Sequence, residues 1–161
     1  MPQHSVRLAY QEFAQAAPAV HAALAALGKA VDDSGLDKAL TELVKLRVSQ
    51  INGCAFCLQY HLNIVRQLGL DLDPRKLDLL AAWRDAGLYS EREQAALAWA
   101  EALTRVAVHE VDDAVYAQAS AAFAPAELAH LSAAVANINA WNRIAAGFRF
   151  APPPAVRGSA A

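Results

Sequence analysis

Apolar residues return at helical spacing along most of the chain, and this periodicity constrains the fold more than any other feature. In one segment Leu40, Val44, Val48 and Ile51 form a single apolar stripe. The chain is rich in Ala and Leu and has little of the β-branched and aromatic alternation that marks strands. The sequence therefore predicts an all-α fold.

Turn and capping signals divide this pattern into separate helices. Asn52-Gly53 tolerates left-handed backbone and ends one helix, whereas Asp73-Pro74 begins another and Ser90 begins a third through a capping box. The predicted helical segments are 5–30 with an interruption near Pro18, 37–51, 54–69, 74–86, 90–108, a short one after Asp112 or Asp113, and 125–147. No repeat or linker divides the chain. We expect a single-domain bundle of six or seven helices over residues 1–150, followed by a flexible Pro-, Ala- and Gly-rich tail at 151–161.

The length and charge of the chain exclude several classes of function. Its 161 residues suit one domain with a hydrophobic core, and 56% of them are apolar against 19% charged. Such a surplus of apolar surface on short helices indicates a homo-oligomer. The net charge of −2, without a basic block, argues against nucleic acid or an anionic membrane as a partner.

The start of the chain and its hydropathy favour a cytoplasmic location. The opening MPQHSVRLAYQEF lacks the basic region and unbroken apolar run of a signal peptide. No apolar stretch approaches the roughly 18 residues that span a bilayer. Cytoplasmic thiols stay mostly reduced, so the two cysteines are expected to be reactive, metal-bound or inert rather than a structural disulfide.

Residues 52–61, NGCAFCLQYH, contain both cysteines of the chain. Cys54, Cys57 and His61 are spaced i, i+3 and i+7, so on a helix that starts near Cys54 they share one face. The unpaired amides of a helix start carry partial positive charge, which favours a thiolate over a thiol. A histidine one turn further along can accept the thiol proton. The pattern therefore indicates a reactive dithiol site.

Glu42 extends this candidate site if the chain reverses at Asn52-Gly53. Glu42 lies 11 residues before Gly53, and His61 lies 8 residues after it. With a rise of about 1.5 Å per residue, both lie roughly 12–17 Å from the turn of a helical hairpin and can meet across it. A carboxylate at that position orients the imidazole and raises its basicity.

Two other interpretations of the cysteines remain open from the residues alone. In the first, both thiols are plain buried hydrophobes. The second is a zinc site, although no second CxxC or HxxxH pair completes a common structural site. Besides the two cysteines and His61, its candidate ligands are Glu42, His109 and His130. A c-type haem is excluded because Leu58 follows the second cysteine, and a thioredoxin fold because no βαβ pattern surrounds the motif.

A polar cluster on the last predicted helix also has two interpretations. Its members are Asn137, Asn139, Asn142 and Arg143. Because buried polar groups need partners, the cluster is either an oligomer interface, which we favour, or the border of the site.

The pattern Glu42, eleven residues, Cys54, two residues, Cys57, three residues, His61 resembles the core motif of AhpD-like alkylhydroperoxidases, within the carboxymuconolactone decarboxylase superfamily. The segment TELVKLRVSQINGCAFCLQYHLNIVRQLGL is similar to that core from end to end. The segments YSEREQAALAWAEALT and INAWNRIAAGFR are similar to regions that follow it in small single-domain members. The resemblance covers most of residues 35–150 and implies an all-α, AhpD-like fold.

The resemblance also implies roles for the four motif residues. Cys57 matches the peroxidatic cysteine, which attacks the O–O bond of a hydroperoxide, and Cys54 matches its disulfide partner, which meets the external reductant. Glu42 and His61 match the proton relay that generates the thiolate. The implied reductant is a dithiol on a lipoyl-bearing or thioredoxin-like protein, and no bound flavin, haem or metal is required. Members of the family assemble as trimers or hexamers.

One position departs from the best-known branch of this family. That branch has a second histidine between the cysteines, where this chain has Phe56. The departure favours, as an alternative to a peroxidase, a thiol–disulfide oxidoreductase or redox sensor with little peroxide turnover. A non-catalytic oligomeric binding module is a further alternative. The decarboxylase branch lacks the cysteine pair, which argues against lactone decarboxylation.

Overall fold

The computed structural model describes residues 5–156, and within them it contains helices, turns and irregular connections but no strand. The helices are α1 (Tyr10–Ala16), α2 (Pro18–Asp32), α3 (Lys38–Ile51), α4 (Ala55–Gln67), α5 (Pro74–Asp78), α6 (Trp83–Ala86), α7 (Glu91–Thr104), α8 (Asp113–Ala122) and α9 (Pro125–Phe148), with a 3₁₀ turn at Leu80–Ala82. The prediction of an all-α fold is confirmed. Over the same residues, no helix combines the length and the apolar character needed to cross a membrane.

Nine α-helices occur between residues 5 and 156, more than the six or seven expected, because two predicted segments are divided. Pro18 opens α2, and Ala17 before it leaves helical geometry (φ −134°, ψ 62°), so the first segment becomes α1 and α2. The segment 74–86 divides into α5, the 3₁₀ turn and α6, which are too short to be stable without tertiary packing. The helix predicted over 90–108 ends at Thr104, and tight turns follow it.

The predicted capping residues Ser90 and Asp73 lie at helix starts and accept hydrogen bonds there. Ser90 Oγ accepts the Glu93 N–H at 3.2 Å, and the Glu93 carboxylate accepts the Ser90 N–H at 2.7 Å, which closes the capping box of α7. Asp73 accepts the Arg75 N–H at 2.9 Å at the start of α5. Since replacing such a cap by alanine costs about 0.5–2 kcal/mol, these side chains help to fix the helix starts.

Helix α3 lies at the centre of the fold and packs against α4, α7 and α9. Its side chains Leu43, Val44 and Val48 are fully buried. Each such side chain contributes about 1.5–3 kcal/mol by its removal from water, so together they anchor α3 in the bundle. The polar side chains Glu42 and Ser49 of the same helix are buried as well, and they must therefore find partners inside the protein.

An aromatic cluster closes the core beside the first turn of α4. Neighbouring ring centroids lie 5.2–6.2 Å apart in this cluster, which consists of Tyr10, Phe13, Phe56, Trp141, Phe148 and Phe150. Aromatic pairs at such separations add about 0.5–1.5 kcal/mol each to their burial. The cluster fixes α1 and the end of α9 against α4 and places Tyr10 beside Phe56.

The chain after α9 continues without regular secondary structure to residue 156. Asn63 on α4 donates to the Pro154 carbonyl at 2.9 Å and accepts the Val156 N–H at 3.0 Å. The domain boundary at residue 150 and the flexibility of the tail stay predictions. Residues 1–4 and 157–161, which belong to the predicted domain and tail, lie outside the described residues.

Candidate active site

The candidate site begins at the turn between α3 and α4. Gly53 adopts a left-handed conformation (φ 65°), and its N–H donates to the Gln50 carbonyl at 3.2 Å. The Cys54 N–H donates to the Ser49 carbonyl at 3.0 Å, which completes a Schellman motif. Glycine suits this position because it has no Cβ. Helices α3 and α4 therefore form the hairpin that the Asn52-Gly53 pair predicts.

The same turn places both cysteines at the start of α4. Cys54 is the N-cap residue, and its Sγ accepts the Cys57 N–H at 3.2 Å. The two sulfur atoms are bonded as a disulfide, with Cα atoms 5.4 Å apart, which lies within the range that a disulfide requires. Both residues are buried, with 4% of Cys54 and 3% of Cys57 exposed. The motif therefore forms a compact sulfur pair among the free amides of a helix start.

Glu42 and His61 meet across the hairpin. Glu42 Oε2 lies 2.6 Å from His61 Nδ1, and the glutamate is fully buried. His61 follows Cys57 by one helical turn, at i+4, so the two side chains project from one face of α4. Glu42 engages Nδ1, so Nε2 is the ring nitrogen that this contact does not use.

Two lysines complete the surroundings of the Glu42 carboxylate. Lys45 Nζ donates to Oε1 at 2.9 Å, and Lys38 Nζ lies 3.1 Å from the same oxygen. Burial by itself raises the pKa of Glu42, but the hydrogen bond and charge of His61, together with Lys45, outweigh burial and hold that pKa well below its usual range. Glu42 is therefore ionised at neutral pH and places a negative charge beside His61.

A cavity of about 380 Å³ opens onto this group from the side of α2 and α9. Cys57 and His61 both line it, whereas Cys54 is not part of the lining. Its apolar wall consists mainly of Leu24, Phe56, Ile64, Ile138 and Trp141. The cavity gives the buried Cys57 a route to small molecules, and its walls suit an organic ligand.

A second polar pair in the cavity has no signal in the sequence. The Tyr10 hydroxyl and His21 Nε2 lie 2.8 Å apart, and both residues line the cavity. Tyr10 belongs to α1 and His21 to α2, far from the cysteine motif along the chain. Only the tertiary packing of these helices brings the pair to the same space as Cys57.

The polar cluster on α9 borders the cysteine turn from within the same chain. Asn52 Nδ2 lies 2.9 Å from Asn139 Oδ1 and 2.8 Å from Asn142 Oδ1. Asn142 in turn donates to Ser49 Oγ at 3.1 Å, and Arg143 donates to Asn139 Oδ1 at 2.9 Å. Asn139 and Asn142 therefore border the cysteine turn from within the same chain. The oligomer interface that we favoured from sequence stays a prediction.

The zinc interpretation finds no arranged set of ligands in residues 5–156. Within this range, no three or more His, Cys, Asp or Glu side chains are grouped so that they could hold a metal ion. His109 is exposed in the turns after α7, and His130 Nδ1 donates to the Ala126 carbonyl of its own helix at 2.7 Å. The structure therefore brings neither histidine to the cysteines as a fourth ligand.

Comparison with known proteins identifies the family. The sequence profile of the carboxymuconolactone decarboxylase family matches residues 18–102, which run from α2 into α7 and include all four candidate site residues. The chain belongs to the carboxymuconolactone decarboxylase family. One relative in Bacillus subtilis, the uncharacterised protein YdfG, is 32% identical over 140 residues, which cover 87% of this chain and 92% of YdfG. The alkyl hydroperoxide reductase AhpD of Rhodococcus erythropolis is 51% identical over only 41 residues, 26% of this chain and 23% of that protein.

Solved structures share the fold of this family member. A protein of unknown function from Agrobacterium tumefaciens, which bears the provisional name antioxidant defence protein AhpD, superimposes with a TM-score of 0.85 and 37% identity. The match covers 93% of this chain and 99% of that one. The debrominase Bmp8 shares the fold alone, with a TM-score of 0.75 at 20% identity over 84% of this chain and 72% of Bmp8. The AhpD-like, all-α fold implied by the motif is thus confirmed.

Proposed function

We propose that this family member is a thiol-dependent hydroperoxidase with an antioxidant role, in which Cys54 and Cys57 cycle between dithiol and disulfide. The observation that carries the proposal is the cavity lined by both Cys57 and His61, with Glu42 hydrogen-bonded behind His61. A nucleophile, a base and a residue that orients the base form the arrangement of activated nucleophiles in general. The similarity to AhpD proteins supports the same class of reaction.

The first step is deprotonation of Cys57. His61 takes the thiol proton on Nε2, while the Glu42 carboxylate stabilises the imidazolium through Nδ1. The first-turn amides of α4 add partial positive charge near the sulfur. Both effects favour the thiolate form of Cys57 when the chain is in its dithiol form.

In the second step the thiolate attacks a hydroperoxide that has entered the cavity. The S–O bond forms as the O–O bond breaks, so Cys57 becomes a sulfenic acid, and the departing alkoxide takes one proton to become an alcohol. The Cys54 thiol then displaces the hydroxyl group, which leaves as water, and the disulfide forms. Sulfur loses two electrons in the cycle, and the peroxide gains them.

An external dithiol reopens the disulfide by thiol–disulfide exchange. In our proposal this reductant is a lipoyl-bearing or thioredoxin-like protein, and it attacks at Cys54, which leaves Cys57 free as a thiolate. The proposed location is the cytoplasm, where such dithiols are kept reduced.

The proposal includes a homo-oligomer, either a trimer or a hexamer. Several large apolar side chains are exposed on the single chain, among them Leu68, Val106 and Val108, the last with 73% of its surface accessible. Burial between subunits removes such side chains from water. Light scattering should give three or six times the chain mass of 17.2 kDa, and a monomer would contradict this part of the proposal.

The redox cycle is tested by intact mass after reduced protein is treated with one equivalent of tert-butyl hydroperoxide. The expected result is a loss of about two hydrogens, which a dithiol restores. Cys54→Ser should retain a sulfenic acid that a dimedone-type probe traps, and Cys57→Ser should consume no peroxide. An unchanged mass of the wild-type protein contradicts the proposal. Peroxide consumption by Cys57→Ser but not by Cys54→Ser would show that Cys54, not Cys57, is the cysteine that attacks the peroxide.

A second candidate function is a thiol–disulfide oxidoreductase with little peroxide turnover. The observation in its favour is Phe56, which lies between the cysteines, lines the cavity and carries no group that transfers a proton. Stopped-flow oxidation of the reduced chain by a hydroperoxide and by a protein disulfide separates the two functions. Faster oxidation by the protein disulfide favours the oxidoreductase.

A further inference from the structure

The proposed cycle leaves unused a second hydrogen-bonded pair in the cavity of Cys57. The pair consists of Tyr10 and His21, whose hydroxyl and Nε2 lie 2.8 Å apart. The centroid of the Tyr10 ring lies 5.3 Å from that of Phe56, the residue before Cys57. A phenol and an imidazole therefore face the same space as the reactive sulfur.

Peroxide reduction in this cavity requires a proton at a point away from the sulfur. When a thiolate displaces an alkoxide from a peroxide, the sulfur and the leaving oxygen lie on opposite sides of the transferred oxygen. His61 follows Cys57 on the same face of α4 and serves the sulfur side. An alkoxide is a strong base, so a positioned acid that protonates it in the transition state accelerates its departure.

We propose that Tyr10, positioned by His21, is the catalytic acid that protonates the alkoxide leaving group of the hydroperoxide. This inference rests on the proposed peroxidase function. As the O–O bond breaks, its electron pair goes to the alkoxy oxygen, and the Tyr10 proton passes to that oxygen to give the alcohol. A proton from solvent then restores Tyr10, while His61 releases to solvent the proton that it took from Cys57, so protons balance over the cycle.

His21 has two tasks in this proposal. With its proton on Nε2 it donates to the phenol oxygen, which leaves the Tyr10 O–H free to point into the cavity. The same hydrogen bond stabilises the phenolate that forms when Tyr10 gives up its proton. His21 is thus a positioning residue, because it acts on the leaving group only through Tyr10.

The surroundings of Tyr10 fit a fixed acid. Burial, and second the neighbouring Tyr60, raise the pKa of Tyr10, so its hydroxyl keeps its proton at neutral pH. Its ring centroid lies 5.6 Å from that of His21, 6.1 Å from that of Trp141 and 5.8 Å from that of Phe150. These contacts hold the ring in one position, which general acid catalysis requires.

The test compares two oxidants whose leaving groups differ in basicity. tert-Butyl hydroperoxide releases a strongly basic alkoxide, whereas peracetic acid releases acetate, which needs no proton. Tyr10→Phe should lower the rate of Cys57 oxidation by tert-butyl hydroperoxide about 10²–10⁴-fold and should leave the rate with peracetic acid within about twofold. The rate of Cys57 alkylation by iodoacetamide should not change, because Glu42 and His61 are intact.

Three further variants separate proton donation from a structural role. Tyr60→Phe removes another hydroxyl from the same cavity and should change either oxidation rate far less than Tyr10→Phe changes the rate with tert-butyl hydroperoxide. His21→Leu should lose rate with tert-butyl hydroperoxide alone, and His21→Gln, whose amide N–H can replace the Nε2 donor, should recover part of that loss.

The outcomes distinguish this inference from the proposed function. Equal losses with both oxidants in the Tyr10 and His21 variants, or no loss with either oxidant, overturn the inference and leave the proposed function standing. A reduced wild-type protein that neither oxidant converts overturns both.

Discussion

Replacing Glu42 by Gln tests the contact on which the activation of Cys57 depends. The substitution keeps the shape of the side chain but removes the charge that pairs with His61 Nδ1 at 2.6 Å and with Lys45 at 2.9 Å. A hydrogen bond to a charged group contributes about 1.5–3 kcal/mol, and about 1.4 kcal/mol corresponds to a tenfold change. With this support lost from the imidazolium, we expect Cys57 to be alkylated about 10- to 150-fold more slowly at neutral pH.

The assay is the rate of alkylation by iodoacetamide between about pH 6 and pH 10, in a Cys54→Ser background in which only Cys57 reacts. The deficit of Glu42→Gln should shrink above about pH 8.5, where an ordinary thiol ionises without help. A neutral-pH rate equal to that of the parent refutes the reasoning, and so does a deficit that persists undiminished at the alkaline end.

Glu101 on α7 supplies the matched control for this variant. Its carboxylate is also buried, with 3% of the residue exposed, and it accepts hydrogen bonds from Arg47 at 2.7 Å and Arg84 at 2.6 Å. Glu101→Gln removes a charge of similar burial from a separate ion cluster, so it should lower stability and leave Cys57 alkylation at the parent rate. Thermal unfolding of both variants separates loss of structure from loss of activation.

Two further predictions concern stability. Because the pKa of Glu42 is lowered in the folded state, its ionisation stabilises the fold above the ordinary glutamate value and this contribution is lost as the pH falls toward the folded pKa. The difference in unfolding free energy between wild type and Glu42→Gln, measured in urea, should therefore be constant above about pH 5 and diminish below it. Gly53→Ala puts a Cβ on a residue with φ 65° and should cost about 1–2 kcal/mol, whereas Gly147→Ala, which meets no close atom inside α9, should be neutral or gain up to about 1 kcal/mol. Equal melting temperatures for the two alanine variants would contradict the left-handed turn.

The range of a contact decides whether the sequence predicts it. Glu42 and His61 belong to adjacent helices joined by a short turn, so the helical rise and the Asn52-Gly53 signal are enough to predict that they can meet. The contact between Asn52 and Asn142 spans 90 residues and depends on how α9 packs against α3. Residue spacing carries no information about that packing, so the sequence does not predict which residues the α9 cluster contacts.

Helix boundaries follow the same rule. They are predicted where a side chain enforces them, as at Ser90 and at Pro18, because a cap or a missing N–H acts locally. Boundaries are missed where tertiary packing determines them. The segment 74–86 is an example, because its sequence predicts one helix and the structure divides it into three short pieces. The Tyr10–His21 pair is the corresponding case in the site, since it exists only through the placement of α1 and α2.

In the proposed function, the buried Glu42 gives the centre of the bundle a chemical role as well as a packing role. Replacing a buried ion pair by well-packed apolar residues is often neutral or stabilising by about 1–4 kcal/mol, so stability alone does not account for a fully buried carboxylate among two lysines and a histidine. The Schellman turn sets the register that brings this carboxylate to His61. Cys57 lies one helical turn before His61 on α4, where it lines the cavity. Apolar side chains on other faces of α3, such as Leu43 and Val48, hold the helix in place. Because that anchoring does not depend on Glu42, the carboxylate is fixed beside His61 without help from any ligand. This is the preorganisation that the proposed thiolate of Cys57 requires.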